Sequence, residues 1–156
     1  MENIMIGFAN VFQLSNLLVC IGGLFIGVLF GALPGFSATM AVAIFVPFTY
    51  VMEPGAALLL LSALYCGGVF GGSIPAVLVG IPGTPASAPT ALEGKALVRK
   101  GEAGRALNLV TLASCFGGFV SSVALLVCAP LLAKIAKMVG QPEQMFVAIF
   151  GLSVVV

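Results

Sequence analysis

The sequence predicts an all-α membrane protein, a polytopic helical bundle whose helices are broken or re-entrant. Three observations carry this. Hydrophobic residues make up 61% of the 156 positions and charged residues 7%, against about 25% charged in a soluble domain. The charges are clustered, so that residues 3–52, 54–92, 106–133 and 144–156 carry none. Pro and Gly then interrupt these apolar stretches at Pro34-Gly35, Glu53-Pro54-Gly55 and Pro82-Gly83. So few charges do not cover an aqueous surface, which excludes a soluble globular domain.

The first span is expected near 14–33. Met1-Glu2-Asn3-Ile4 lacks the basic n-region of a secretory signal, so this segment is expected to be retained. Gly23, Gly27 and Gly31 recur every four residues and share one helical face, which lets another helix approach closely in lipid. Pro34 biases Leu33 away from the helical region and ends the helix there. The next apolar run, 38–52, is about 15 residues or roughly 22 Å as a helix, short of the roughly 30 Å hydrocarbon core. It contains Pro47 and reads as a broken or re-entrant element.

After the Glu53-Pro54-Gly55 turn, 56–79 is long enough to span. It carries Gly67, Gly68, Gly71 and Gly72, then Ser73 and Pro75, a face open to a helix or a ligand. Ile81 to Thr90 holds Pro82, Pro85 and Pro89, which forbid a continuous helix. Irregular backbone at membrane depth survives only where protein buries it or where it lines a cavity. Thr90 and Glu93 have capping-box spacing for a helix running to Lys100, with Arg99 and Lys100 at its negative end and Gly101 as the stop. Further spans are expected at 106–129 and 144–156. The chain stops inside an apolar run, and the expectation is an N-terminal piece of a larger membrane protein.

The segment 93–105 holds Lys95, Arg99, Lys100 and Arg105, and the positive-inside rule places it in the cytoplasm. The N-terminus then lies outside if the first three segments each cross, and inside if 38–52 re-enters. Lys134 and Lys137 are a weaker signal of the opposite sense.

Catalytic chemistry finds no support. The chain has no histidine, no predicted span contains Lys, Asp or Glu, and no nucleophile–base pair can be assembled. A GxxxxGK[ST] loop for ATP is absent. Cys20, Cys66, Cys115 and Cys128 sit singly in apolar stretches and read as small hydrophobes, without a metal site. The net charge of +1 argues against nucleic acid as a partner. What remains is a pair of interrupted segments rich in Gly, Pro and hydroxyls, the sequence pointer to a secondary-transporter site. The first candidate stretch contains Pro34, Gly35, Ser37 and Thr39, with Ser37 placed to cap the helix that follows. The second contains Pro82, Gly83, Thr84 and Ser87, with Ser73 nearby in sequence. Helix-end amides there can face a carboxylate. With no intramembrane carboxylate to relay protons, sodium held by carbonyls and hydroxyls is the expected coupling ion, and no other cofactor is expected.

Five blocks together resemble a known family. They are Gly31-Ala32-Leu33-Pro34-Gly35, Tyr65-Cys66-Gly67-Gly68-Val69-Phe70-Gly71-Gly72-Ser73, Pro82-Gly83-Thr84-Pro85-Ala86-Ser87, Thr90-Ala91-Leu92-Glu93-Gly94, and Lys100-Gly101-Glu102-Ala103-Gly104-Arg105-Ala106-Leu107. In this order and spacing they resemble the N-terminal part of the large membrane subunit of tripartite tricarboxylate transporters, the TctA family. The resemblance implies a bacterial, multi-pass inner-membrane subunit of a secondary transporter, with half of an internally repeated fold in this chain. It also implies a small membrane subunit and a periplasmic solute-binding protein as partners, and carboxylates as cargo. The sequence departs from the pattern at Ser37, Cys66, Phe70 and Gly80-Ile81, so citrate itself is not carried over. Two other readings stand beside this one. A membrane scaffold would account for the glycine faces by packing alone, and a hydroxyl-lined channel would use the same two loops.

Overall fold

Proline and glycine punctuation sets the helix ends in the computed structural model, which describes residues 7, 9–138, 140, 142, 143, 145, 146, 149, 150 and 153. The helices whose bounds lie among the described residues are α1 (Leu14–Ala32), α2 (Ala38–Thr49), α3 (Pro54–Gly71), α4 (Ser73–Leu78), α5 (Ala88–Arg99) and α6 (Ala103–Met138), with a 3₁₀ turn at Pro85–Ser87. No strand occurs among the described residues. Contacts divide the chain into two units, Met1–Ser114 and Cys115–Val156.

In the first unit the glycine faces fix how α1 and α3 meet. A Cβ on Gly23 would lie 3.1 Å from Leu60 and Ala63; one on Gly27 would strike the Leu64 carbonyl and lie 3.0 Å from the Gly68 nitrogen. One on Gly31 would strike the Gly68 carbonyl and lie 2.9 Å from the Gly72 nitrogen. Partner numbers rise as α1 is followed, so the two helices run parallel with backbone against backbone. The intervening α2 must therefore run back the other way. Its first residue, Ala38, packs on Gly68, with the Ala38 Cα 2.8 Å from where a Gly68 Cβ would be. Its 12 residues cover about 18 Å and return the chain to the level of Glu53.

The buried apolar side chains of this unit are small or medium: Ala38, Ala41, Ala63, Leu64, Ala76, Val77, Ala91 and Ala106. Phe25, Leu18 and Leu58 lie outward and exposed. That arrangement suits lipid, where small residues bring helices together and large apolar side chains face acyl tails. Among the described residues, three helical stretches are long and apolar enough to cross a membrane: Leu14–Ala32, Pro54–Leu78 and Ala103–Ala129.

Several expected boundaries move. The third segment starts at Pro54, at a position where proline is favoured, and it divides at Gly72 into α3 and α4. Pro75 is the reason, because it has no N–H for the Gly71 carbonyl. The helix of the second segment covers only Ala38–Thr49 of 38–52 and includes Pro47. The capping box expected at Thr90 and Glu93 is not formed. α5 starts at Ala88, with Ser87 in the cap position and Pro89 in its first turn. Its far end matches expectation: Gly101 adopts φ +81°, and the amides of Gly101 and Glu102 donate to the carbonyls of Val98 (2.9 Å) and Leu97 (3.0 Å), a Schellman closure. The segment 93–105 is thus the end of one helix, a tight turn and the start of the next. Arg105 Nη1 donates to Glu102 Oε2 there at 3.0 Å. Beyond 106–129 the helix continues past Pro130 to Met138.

The second unit, by itself, is described mainly as the later turns of α6. Phe116, Phe119 and Val123 are exposed there, and the Ser122 hydroxyl donates to the Gly118 carbonyl at 2.8 Å. The span expected at 144–156 lies largely outside the described residues.

Candidate functional site

The first candidate stretch is a turn followed by a capped helix. Pro34 and Gly35 occupy its centre, Gly35 at φ +94°, and the Phe36 amide donates back to the Leu33 carbonyl at 3.2 Å. A proline followed by a left-handed glycine is what a type II turn requires. The Phe36 ring stacks edge-on against Phe30, centroids 5.5 Å apart. Ser37 caps α2: its Oγ accepts from the Met40 amide at 3.1 Å and shares a hydrogen bond of 2.8 Å with the Thr39 hydroxyl. Met40 and Ala41 donate to Ser37. The amides of Ala38 and Thr39 are the ones that a helix start leaves over.

The second stretch folds onto the α1–α3 pair. The Gly83 amide donates to the Gly72 carbonyl at 3.2 Å. A Cβ on Gly83 would strike the Gly31 carbonyl and lie 2.8 Å from the Gly72 Cα; one on Gly72 would lie 2.9 Å from the Thr84 nitrogen. Thr84 and Ser87 are 5% and 2% exposed. Their hydroxyls serve each other and the backbone. Ser87 Oγ donates to the Thr84 carbonyl at 2.8 Å, and it accepts from the Thr84 amide and hydroxyl at 3.3 Å. These two side chains therefore fasten the loop. Ser73 is buried at the first position of α4. Pro34, Gly35, Thr39 and Pro82 are exposed.

The two stretches, more than forty residues apart in sequence, are thus anchored four residues from each other, at Gly68 in the last turn of α3 and at Gly72 just after it. Gly31 touches both of those positions and Gly83. None of the nine residues named as candidates carries a charge. An anion here would meet amides, hydroxyls and the positive end of α2 rather than a Lys or Arg. Gly31, Gly68 and Gly72 are the participants that reasoning along the chain assigned to packing or left open; their four-residue spacing is visible, but not that the 82–87 loop lies on it.

The fold and this neutral junction define an α-helical membrane protein with interrupted helices. The chain belongs to the tripartite tricarboxylate transporter TctA family, whose model matches residues 17–156. A relative from Agrobacterium vitis, described as an uncharacterized 52.8 kDa protein in the TAR-I ttuC' 3'region, is 38% identical over 153 residues. That match takes in 98% of this chain and 30% of the relative, so the chain spans under a third of that protein's length. No solved structure matches.

Proposed function

We propose that this chain is part of the membrane subunit of a secondary transporter that imports tricarboxylate-like anions across the bacterial inner membrane. It works with a small membrane subunit and a periplasmic solute-binding protein, and it is driven by sodium. The observation that carries this reading is the meeting of the two interrupted stretches on Gly31, Gly68 and Gly72. Breaks that converge on one place are where a helical transporter exposes backbone groups to a solute.

In this reading the carboxylate is met by the Ala38 and Thr39 amides, beside the Ser37 and Thr39 hydroxyls. Ser73 lies at the start of α4 after the same break, Pro34 and Gly35 form the turn that delivers α2, and Pro82, Gly83, Thr84 and Ser87 shape the opposing loop. A site with no cationic side chain gains from a cation that travels with a polyanion, which favours sodium coupling. The basic end of α5 lies beside Gly80 through Lys95, at the Leu78 end of the bundle. The positive-inside rule makes that end cytoplasmic, and the start of α1 and the Glu53 turn then face the periplasm.

The test is uptake of labelled di- and tricarboxylates by the full-length subunit reconstituted with both partners. Uptake is expected to saturate, to need the binding protein, and to collapse when choline replaces sodium. Uptake that does not saturate, or that proceeds without the binding protein, overturns the reading in favour of a channel.

A further inference from the structure

The end of α5 holds the chain's densest group of charges, and its packing places that end at a membrane face. Thr84 sits on Gly72, its nitrogen 2.9 Å from where a Gly72 Cβ would be, and α5 begins one 3₁₀ turn later. Gly72 lies inside the apolar stretch Pro54–Leu78. From there α5 runs along α4: a Cβ on Gly94 would lie 2.9 Å from Val77 Cγ2, and the Lys95 chain lies across Gly80, its Cδ 2.8 Å from a Cβ placed there. Gly80 follows that stretch closely, and Lys100 comes just before the next one, Ala103–Ala129. The last turn of α5 therefore stands where two spans leave the hydrocarbon. We propose that the exposed face of α5 binds an anionic phospholipid of the leaflet at that end, with the headgroup on the cations and an acyl chain along the turns below.

The helix sets the face. Ala91 and Gly94 are buried, whereas Leu92, Lys95, Ala96, Arg99 and Lys100 are exposed. At 3.6 residues per turn, Lys95, Ala96 and Arg99 fall within about 60° of Leu92 around the axis. Leu92 is 80% exposed and lies about 10 Å before Arg99 along the helix. The face is thus apolar at the level of the spans and cationic at their end. Arg105 is taken up by Glu102 at 3.0 Å, and no other ion pair forms among the described residues. Lys95, Arg99 and Lys100 therefore present their charges outward. Glu93, the one carboxylate within α5, lies about 100° round from Leu92. It is on the wall of a cavity of about 450 Å³ between α5 and α6, away from this face.

Both halves of the face name the occupant. A free phosphate would use the cations and leave Leu92 and Ala96 without a part. A phospholipid meets both, because its phosphate lies at the depth where the spans end and its chains run below. Lys and Arg near helix ends extend their stems along apolar surface and keep their charges among the headgroups. Each cation beside a span strengthens the attraction of an anionic lipid by roughly fivefold, and a zwitterionic lipid, with no net charge, gains little from it. The inference does not rest on the transport reading, because what it predicts is lipid binding by the subunit at rest.

The experiment titrates the full-length subunit with phosphatidylglycerol or phosphatidylcholine and reads the dissociation constant of the first bound lipid by native mass spectrometry. Wild type is expected to prefer phosphatidylglycerol, and the preference to shrink as salt rises. Arg99→Gln combined with Lys100→Gln should lower the preference roughly thirtyfold, and adding Lys95→Gln should lower it roughly a hundredfold. Arg99→Lys with Lys100→Arg should keep it, and Leu92→Ser should weaken both lipids while leaving their ratio unchanged. Lys95 also packs on Gly80; should the triple variant fail to fold, the double variant decides, since both of its side chains are exposed. A wild-type preference in the double variant overturns the proposal. Displacement of phosphatidylglycerol by millimolar inorganic phosphate overturns it in favour of a soluble anion. Loss of the wild-type preference once the partner subunits are added overturns it in favour of a protein surface.

Discussion

Replacing Gly83 by alanine tests the junction directly, because the structure leaves no room for one methyl group. The new Cβ would strike the Gly31 carbonyl and lie 2.8 Å from the Gly72 Cα. Both obstacles are backbone, so no side chain can swing aside. The loop has to lift by roughly 1 Å from the helix pair. Overpacking of this kind costs about 1–3 kcal/mol. Lifting also stretches the 3.2 Å hydrogen bond from Gly83 to Gly72, worth a further ~1 kcal/mol. A total of about 2–4 kcal/mol falls on one anchor of a loop held otherwise by the Thr84–Ser87 cluster. The assay pairs thermal unfolding of the purified full-length subunit with carboxylate uptake in vesicles. Gly22→Ala is the control, since a Cβ there meets nothing within 4 Å and alanine is favoured over glycine inside a helix by about 0.5–1 kcal/mol. Gly83→Ala should melt below wild type and transport at a small fraction of its rate, while Gly22→Ala melts at or above wild type and transports normally. A Gly83→Ala protein with wild-type melting and uptake would refute the argument that this glycine holds the loop on the helices.

Other substitutions separate the elements. Gly27→Ala, whose Cβ would strike the Leu64 carbonyl, should destabilise by about 1–3 kcal/mol, read as a lower melting temperature than Gly22→Ala. Ser37→Ala removes the cap on Met40 and should cost about 1 kcal/mol, whereas Ser37→Asp restores stability; if uptake follows stability in both, Ser37 acts only as a cap. Gly101→Ala places a side chain at φ +81° and should cost about 1 kcal/mol. Its effect belongs to the end of α5 and is measurable as faster hydrogen exchange at Leu97 to Glu102, with uptake unchanged.

Much of the fold was legible because lipid leaves little freedom. Pro34, Glu53-Pro54 and Gly101 stop or start helices by backbone chemistry that no tertiary contact overrides, and the structure ends helices within a residue or two of each. The capping box at Thr90 failed on a signal that was also local. Pro89 fits the first turn of a helix, where its missing N–H costs nothing, and that placed the start ahead of Thr90. The break at Gly72 had the same kind of signal in Pro75, weakened because the apolar run continues through it.

The candidate site was legible only in part, for one reason. Motif reading finds residues that are close in sequence, and the stretches Pro34–Thr39 and Pro82–Ser87 each announce themselves by proline, glycine and hydroxyl density. Nothing along the chain says that they share Gly31, Gly68 and Gly72, because that follows from the register of two glycine faces. They meet because α2 returns the chain, so that α1 and α3 start at the same end, and because Gly23, Gly27 and Gly31 then hold the pair in parallel register. A contact set by the register of two helices joins positions far apart in the sequence, so no motif of a few residues contains it.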